Sequence, residues 1–175
     1  MRTLKQFFIS VLFFSSFIIS CNKEDKGDYV KPITLYEHVA GDWSLSSIKQ
    51  IDLTAKAASI KPDEVQLTNA LTFNTMKLSL KADADNNPTT FAVTGTAPAL
   101  FPTSGFWALN SNFQNTDGTP VKVLLYSDAA KTQSVGQLTM QAAPGAVVEL
   151  ELVLNRTAKG VAYVAYDYKF VAATN

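Results

Sequence analysis

A serine triad or a zinc centre needs an imidazole with partners. This chain supplies one imidazole, His38, with neither a Gly-x-Ser-x-Gly elbow nor a His-Glu-x-x-His pair to serve it. His38 therefore reads as a surface or capping residue ahead of the first strand. Paired carboxylates can do acid and base work without histidine, and Glu149 and Glu151 are the pair at hand. They alternate with Val148, Leu150, Leu152 and Leu154, a spacing that puts them on the solvent side of an ordinary strand. Asp83, Asp85 and Asn87 fall at alternate positions, as the first ligands of a calcium loop do. Pro88 then stands where such a loop needs glycine and Thr94 where it needs a bidentate glutamate, so the stretch reads as a polar hairpin connection. Asn155-Arg156-Thr157 matches the acceptor pattern for glycosylation in eukaryotic secretion; outside that context it reads as a turn. The expectation is a protein that is not an enzyme, with no catalytic residue, no metal and no cofactor.

The one cysteine carries a different chemistry. Cys21 follows Phe17-Ile18-Ile19-Ser20 at the end of an apolar segment that starts near Phe7 and is preceded by Arg2 and Lys5. A positive start, a short apolar stretch and a small residue before the cysteine make a secretory signal of the bacterial lipoprotein kind, too short for a spanning helix of about 20 apolar residues. Residues 1–20 are then removed and Cys21 becomes an acylated N-terminus carrying palmitate-type chains. One chain holds a protein only marginally, at about 0.8 kcal/mol per buried methylene, and two or three hold it permanently. Residues 22–28 are charged and have nothing apolar to pack, so 21–35 form a solvated tether. Lys23-Glu24-Asp25 resembles the export signal of Bacteroidetes-type lipoproteins, which implies an outer-membrane protein facing the cell surface; the periplasmic face is the alternative.

Loss of residues 1–20 removes Arg2 and Lys5 and leaves 13 basic against 15 acidic side chains, a formal charge of −2. Nucleic acid is thereby an unfavoured partner. With Cys21 acylated no disulfide can form, so stability must come from an apolar core. Residues 36–175 are long enough for one such domain, and no repeat recurs along them.

Period-two alternation dominates that stretch and reads as strand. It is clearest over 148–154. Val65, Leu67, Leu71 and Phe73 read as one half-buried strand, and Met76, Leu78 and Leu80 as the next. Val164, Tyr166, Tyr168 and Phe170 share one face of the last strand, with Tyr163, Asp167 and Lys169 on the other. Further strands are expected near 42–54, 90–96, 106–110, 121–127 and 135–142. A short helix is expected over 35–39 and a helical turn over 56–63. Short connections at Asn86-Asn87-Pro88, Asp117-Gly118, Pro144-Gly145 and Lys159-Gly160 favour antiparallel neighbours. The expected fold is all-β, with eight or nine antiparallel strands in an up-and-down barrel or a two-sheet sandwich.

Gly41-Asp42-Trp43, opening the first strand after the short helix, resembles the Gly-x-Trp start of lipocalin-type barrels. The whole strand arrangement is similar to the lipocalin-like lipoprotein domains of Bacteroidetes. The resemblance implies a barrel in which Trp43 closes one end as a structural cap beside a late arginine. The only arginine left after processing, Arg156, precedes the final strand instead of following it, and the family's Thr-Asp-Tyr motif is absent.

Aromatic residues are the remaining signal. The proline-rich apolar segment 97–105 leads into Phe101, Phe106, Trp107, Phe113 and Tyr126, and an apolar loop at a barrel mouth can line a pocket, touch a partner or pack as a lid. Trp107, just after that loop, is expected to be presented rather than buried. Two functions follow: a membrane-anchored module that binds a small apolar molecule or a glycan, or an interaction subunit that docks onto a larger outer-membrane complex. An open interior argues for the first and an interior filled by side chains for the second.

Overall fold

The computed structural model describes residues 30–174; Cys21, the apolar segment before it and the charged stretch after it lie outside the described residues. The body from Ile33 onward holds every described strand. A one-turn helix, α1 (Leu35–Val39), opens it, with the Glu37 carboxylate accepting from the Thr34 N–H and hydroxyl. Nine strands follow: β1 (Gly41–Asp52), β2 (Glu64–Gln66), β3 (Lys77–Ala82), β4 (Pro88–Thr94), β5 (Ser104–Leu109), β6 (Lys122–Tyr126), β7 (Ser134–Ala142), β8 (Glu149–Ala158) and β9 (Val161–Ala172). A second one-turn helix, α2 (Leu53–Ala57), follows β1.

From β3 to β9 each strand pairs antiparallel with the next, β1 pairs with β3, and β9 pairs back on β1 from Trp43 to Asp52. Eight strands thus close into an up-and-down barrel, and β2 is an extra strand bonded to β1 over Lys49–Ile51. The pairing of β9 back on β1 closes the sheet on itself, which decides for the barrel over the sandwich.

Inward positions fill the interior. Trp107, Tyr168, Phe91, Phe170, Leu150 and Leu152 are fully buried and come from β4, β5, β8 and β9, so facing strands interdigitate instead of enclosing a lumen. Tyr168 stacks on Phe170, with ring centres 6.2 Å apart. At one end, α1 seals the barrel: Leu35 and Val39 are buried, the Leu35 N–H donates to the Asn112 carbonyl, and the Trp43 indole N–H donates to the Val39 carbonyl at 2.9 Å. The Trp43 ring is buried at this end, with a helix carbonyl as the partner of its N–H. At the other end the 95–103 loop folds inward. Gly95 there has φ +75, and a Cβ on it would collide with the Thr75 carbonyl, so only glycine fits.

Three sequence expectations are corrected. Of the strand expected from Val65 to Phe73, only Glu64–Gln66 pairs; Val65 and Leu71 are exposed, and Phe73 is buried from a 3₁₀ turn, Phe73–Thr75. The cause is local. The Thr68 hydroxyl accepts the Ile48 N–H, Asn74 N–H bonds back to the Thr68 carbonyl, and Thr72 adopts φ +55, so turn bonds replace the ladder. The helical turn expected over 56–63 forms earlier, as α2, because the Asp52 side chain accepts from the Thr54 and Ala55 N–H groups and caps it. On β8 the inward face is covered only at its centre: Leu150 and Leu152 are buried, Leu154 is half-buried and Val148, just before the strand, is exposed.

Candidate functional site

β7 and β8 pair at Thr139–Val153, Met140–Leu152 and Ala142–Glu151, and the ladder stops there. Continuing the same register would set Leu138 against Leu154 and Gly136 against Arg156, but those residues do not pair. Two bulges pull the strands apart. Between the Leu125–Gly136 and Tyr126–Ser134 pairs, β7 has Val135 as an extra residue, and between the Arg156–Val164 and Thr157–Ala162 pairs, β9 has Tyr163.

A cavity of about 430 Å³ occupies the gap. Five successive residues of β7, from Val135 to Thr139, and five of β8, from Val153 to Thr157, line it. A pocket on one face of a strand touches every second residue. Contact with every residue in turn means that the strand edges themselves face the cleft. Alternate backbone N–H and C=O groups along both edges therefore point into it without a partner strand. Leu125 and Leu138 contribute to the apolar floor, the loop residues Leu100, Phe101 and Pro102 wall one side, and Gly136 leaves the interior side open. A Cβ built on Gly136 would have only Leu125 Cδ1, at 4.0 Å, as a neighbour.

The charge in the cleft is of one sign. Among the described residues Lys122 and Arg156 line it, and no carboxylate does. Arg156 continues the inward register of Leu150, Leu152 and Leu154, so a guanidinium stands where alternation calls for an apolar side chain. Among the described residues the guanidinium makes no ion pair within 4.0 Å. Gln137, Thr139, Asn155 and Thr157 add amides and hydroxyls. This arrangement can hold an anion and a set of hydrogen-bonding groups.

The five aromatic residues singled out by sequence are not brought together. Phe101 lines the cleft but is 4% exposed, its ring edge-on to Tyr168 at 5.4 Å. Trp107 is packed and not presented: it has no exposed surface, meets Tyr36 edge-on and donates its indole N–H to the Lys81 carbonyl at 2.8 Å. The strand register turns it inward, opposite Leu125, whatever the loop before it does. Phe106 and Tyr126 face each other across β5 and β6 on the outward side, half-buried, and Phe113 sits exposed in the loop beyond β5.

The other candidates have structural surroundings. His38 is exposed in the last turn of α1. The Asp83 carboxylate accepts from the N–H groups of Asp85 and Asn87 and from the Asn87 amide, closing the hairpin, and the Asn87 bonds hold its carboxyl below the usual range. Glu151 and Glu149 flank the Lys169 ammonium at 3.3 Å and 3.8 Å on the outer wall, and the Glu151 bond pushes the lysine pKa up. Beside them Asp167, an outward residue by alternation, is buried with its Oδ1 unpaired among the described residues, and burial, then the Glu151 charge, push its carboxyl up. A second hollow of about 380 Å³ lies over β1, β3 and β4; its acid, Asp42, is held down in pKa by the Ser79 hydroxyl and by Lys81.

No curated protein matches the chain, and no solved structure does. The closed eight-stranded barrel with its Gly-x-Trp opening fits a lipocalin-like fold. A family model described as a domain of unknown function, DUF5004, matches residues 20–171, so that it takes in Cys21, Trp43 and both edges of the cleft, and the chain belongs to the DUF5004 family.

Proposed function

We propose that this protein is a lipid-anchored, non-catalytic binding module whose site is the cleft between β7 and β8, not the barrel lumen. The observation that carries this reading is the cleft itself: a cavity of about 430 Å³, within the size range of small-ligand sites, with unpaired strand edges and an unpaired guanidinium in its wall. The inward side chains packed through the barrel support the cleft over the lumen as the container. The anchor rests on the signal pattern ending at Cys21, with attachment to the outer membrane of a Bacteroidetes-type cell, facing outward. Among the described residues no helix is long and apolar enough to cross a membrane, and the acyl chains supply the attachment.

The filled lumen also supports a second reading, an interaction subunit that docks onto an outer-membrane complex, with the exposed Val147 and Val148 before β8 as an apolar contact. Native mass spectrometry of the protein released from its own membranes separates the two. A retained small molecule, lost from Gly136→Leu, supports the binding module; a stable protein complex with an empty barrel supports the subunit. For the anchor, Cys21→Ser is expected to abolish labelling by an alkynyl palmitate analogue and to move the protein out of the membrane fraction. Labelling that persists in the variant refutes acylation at Cys21.

A further inference from the structure

The geometry points to a carboxylate-bearing saccharide, a uronate-containing oligosaccharide, as the ligand of the β7–β8 cleft; this rests on the cleft being the binding site. Three features select that chemistry. First, among the described residues Lys122 and Arg156 line the cavity with no carboxylate in its walls, and Arg156 has no ion-pair partner. A guanidinium presents parallel N–H donors that match a carboxylate two to one. Arginine at an inward register position breaks the apolar pattern of its own strand, a local conflict that natural sequences keep at functional sites.

Second, the edges of β7 and β8 bring unpaired N–H and C=O groups into the cleft, and Gln137 and Asn155 bring amides. An acyl chain laid there would strip water from these groups and replace it with nothing, which costs free energy for each of them. A sugar brings hydroxyls that both donate and accept, at a spacing that an irregular set of backbone groups can meet. Third, Leu100, Pro102 and Val135 give an apolar border against which the C–H face of a pyranose ring can lie. The volume of about 430 Å³ admits one or two rings, so the recognised unit is short and the rest of an oligosaccharide extends into solvent.

The test is calorimetric titration of the full chain, held in lipid nanodiscs, with trigalacturonate, with the neutral maltotriose and with dodecanoate. Trigalacturonate is expected to bind saturably and maltotriose at least about tenfold more weakly, the order of one charge-assisted pair. Arg156→Gln is expected to cost the same factor for trigalacturonate, and Arg156→Lys less. Gly136→Leu, which puts a side chain into the cleft without backbone strain, is expected to remove binding while the circular dichroism spectrum and melting temperature stay those of the parent. Equal affinity for maltotriose, preference for dodecanoate, or indifference to Arg156→Gln overturns the uronate; sensitivity of such binding to Gly136→Leu leaves the cleft as the site. Binding of any of the three that survives Gly136→Leu, or no binding of any, overturns the uronate together with the cleft reading.

Discussion

Asp167→Asn should make the protein more stable at neutral pH. The carboxyl sits on the outer wall between β1 and β8, opposite Lys49 and Val153, is 9% exposed, and has Oδ1 without a hydrogen-bond partner among the described residues. Burial first, and then the Glu151 charge, raise its pKa above the ordinary 3.8, against smaller lowering effects of Lys169 and Lys49. A folded-state pKa above the unfolded one means that the native state prefers the protonated acid. Its contribution is therefore fully present below the unfolded pKa and is lost as pH rises through the folded one. As pH rises the wild type has to hold a poorly paired carboxylate, whereas asparagine is neutral at every pH and can donate its N–H₂ to Glu151. An unsatisfied buried group costs about 1–3 kcal/mol; solvent and the two lysines screen part of this, so the expected gain is about 1–2 kcal/mol. For a domain of this size that is a rise of roughly 3–6 °C in melting temperature. Thermal melts of both proteins from pH 4 to pH 8, followed by circular dichroism, should show the two curves converging at the acid end and separating as pH rises. Parallel curves, or a variant less stable at pH 7, refute the assigned strain at Asp167.

Two other substitutions probe the interior. Tyr168 is fully buried with its hydroxyl unpaired among the described residues, and burial pushes its pKa up, so Tyr168→Phe should be neutral or gain about 1 kcal/mol; a melting temperature several degrees lower would reveal a partner for the hydroxyl. Leu152→Asp places a charge in the centre of the barrel and should cost about 4 kcal/mol or more, while Glu149→Gln, which loosens only a half-exposed pair with Lys169, should stay within about 0.5 kcal/mol. Denaturant melts in which these two behave alike overturn the inward and outward faces of β8.

The barrel was legible in the sequence because alternation is a property of each strand alone. Leu150 and Leu152, Tyr168 and Phe170, and Leu78 and Leu80 all turn inward as their spacing says. Val65 to Phe73 misled because the same alternation arises by chance in a segment whose backbone is captured by Thr68 and turned by Thr72. Trp107 points inward because its own parity on β5, and not the loop before it, sets its direction. The cleft was hidden for a different reason: it depends on how two strands register against each other, and the extra residues Val135 and Tyr163 that part them look like ordinary strand residues in a linear reading. One signal did lie in the sequence. The inward series Leu150, Leu152, Leu154 runs on to Arg156, and a cation at the end of an apolar face marks a place where that face is no longer core.

Amide hydrogen exchange by nuclear magnetic resonance on the ligand-free protein tests the open wall most directly. In an antiparallel sheet alternate residues send their N–H groups to opposite neighbours. Along Val135–Leu138 and Leu154–Thr157, one alternate set bonds to β6 or β9 and the other faces the cleft. The expected result is a two-tone pattern, with the cleft-facing amides exchanging orders of magnitude faster than their immediate neighbours and than the amides of Met140 and Leu152. Uniform slow exchange along both strands would mean that β7 and β8 are zipped to their ends, which removes the cleft and the site with it.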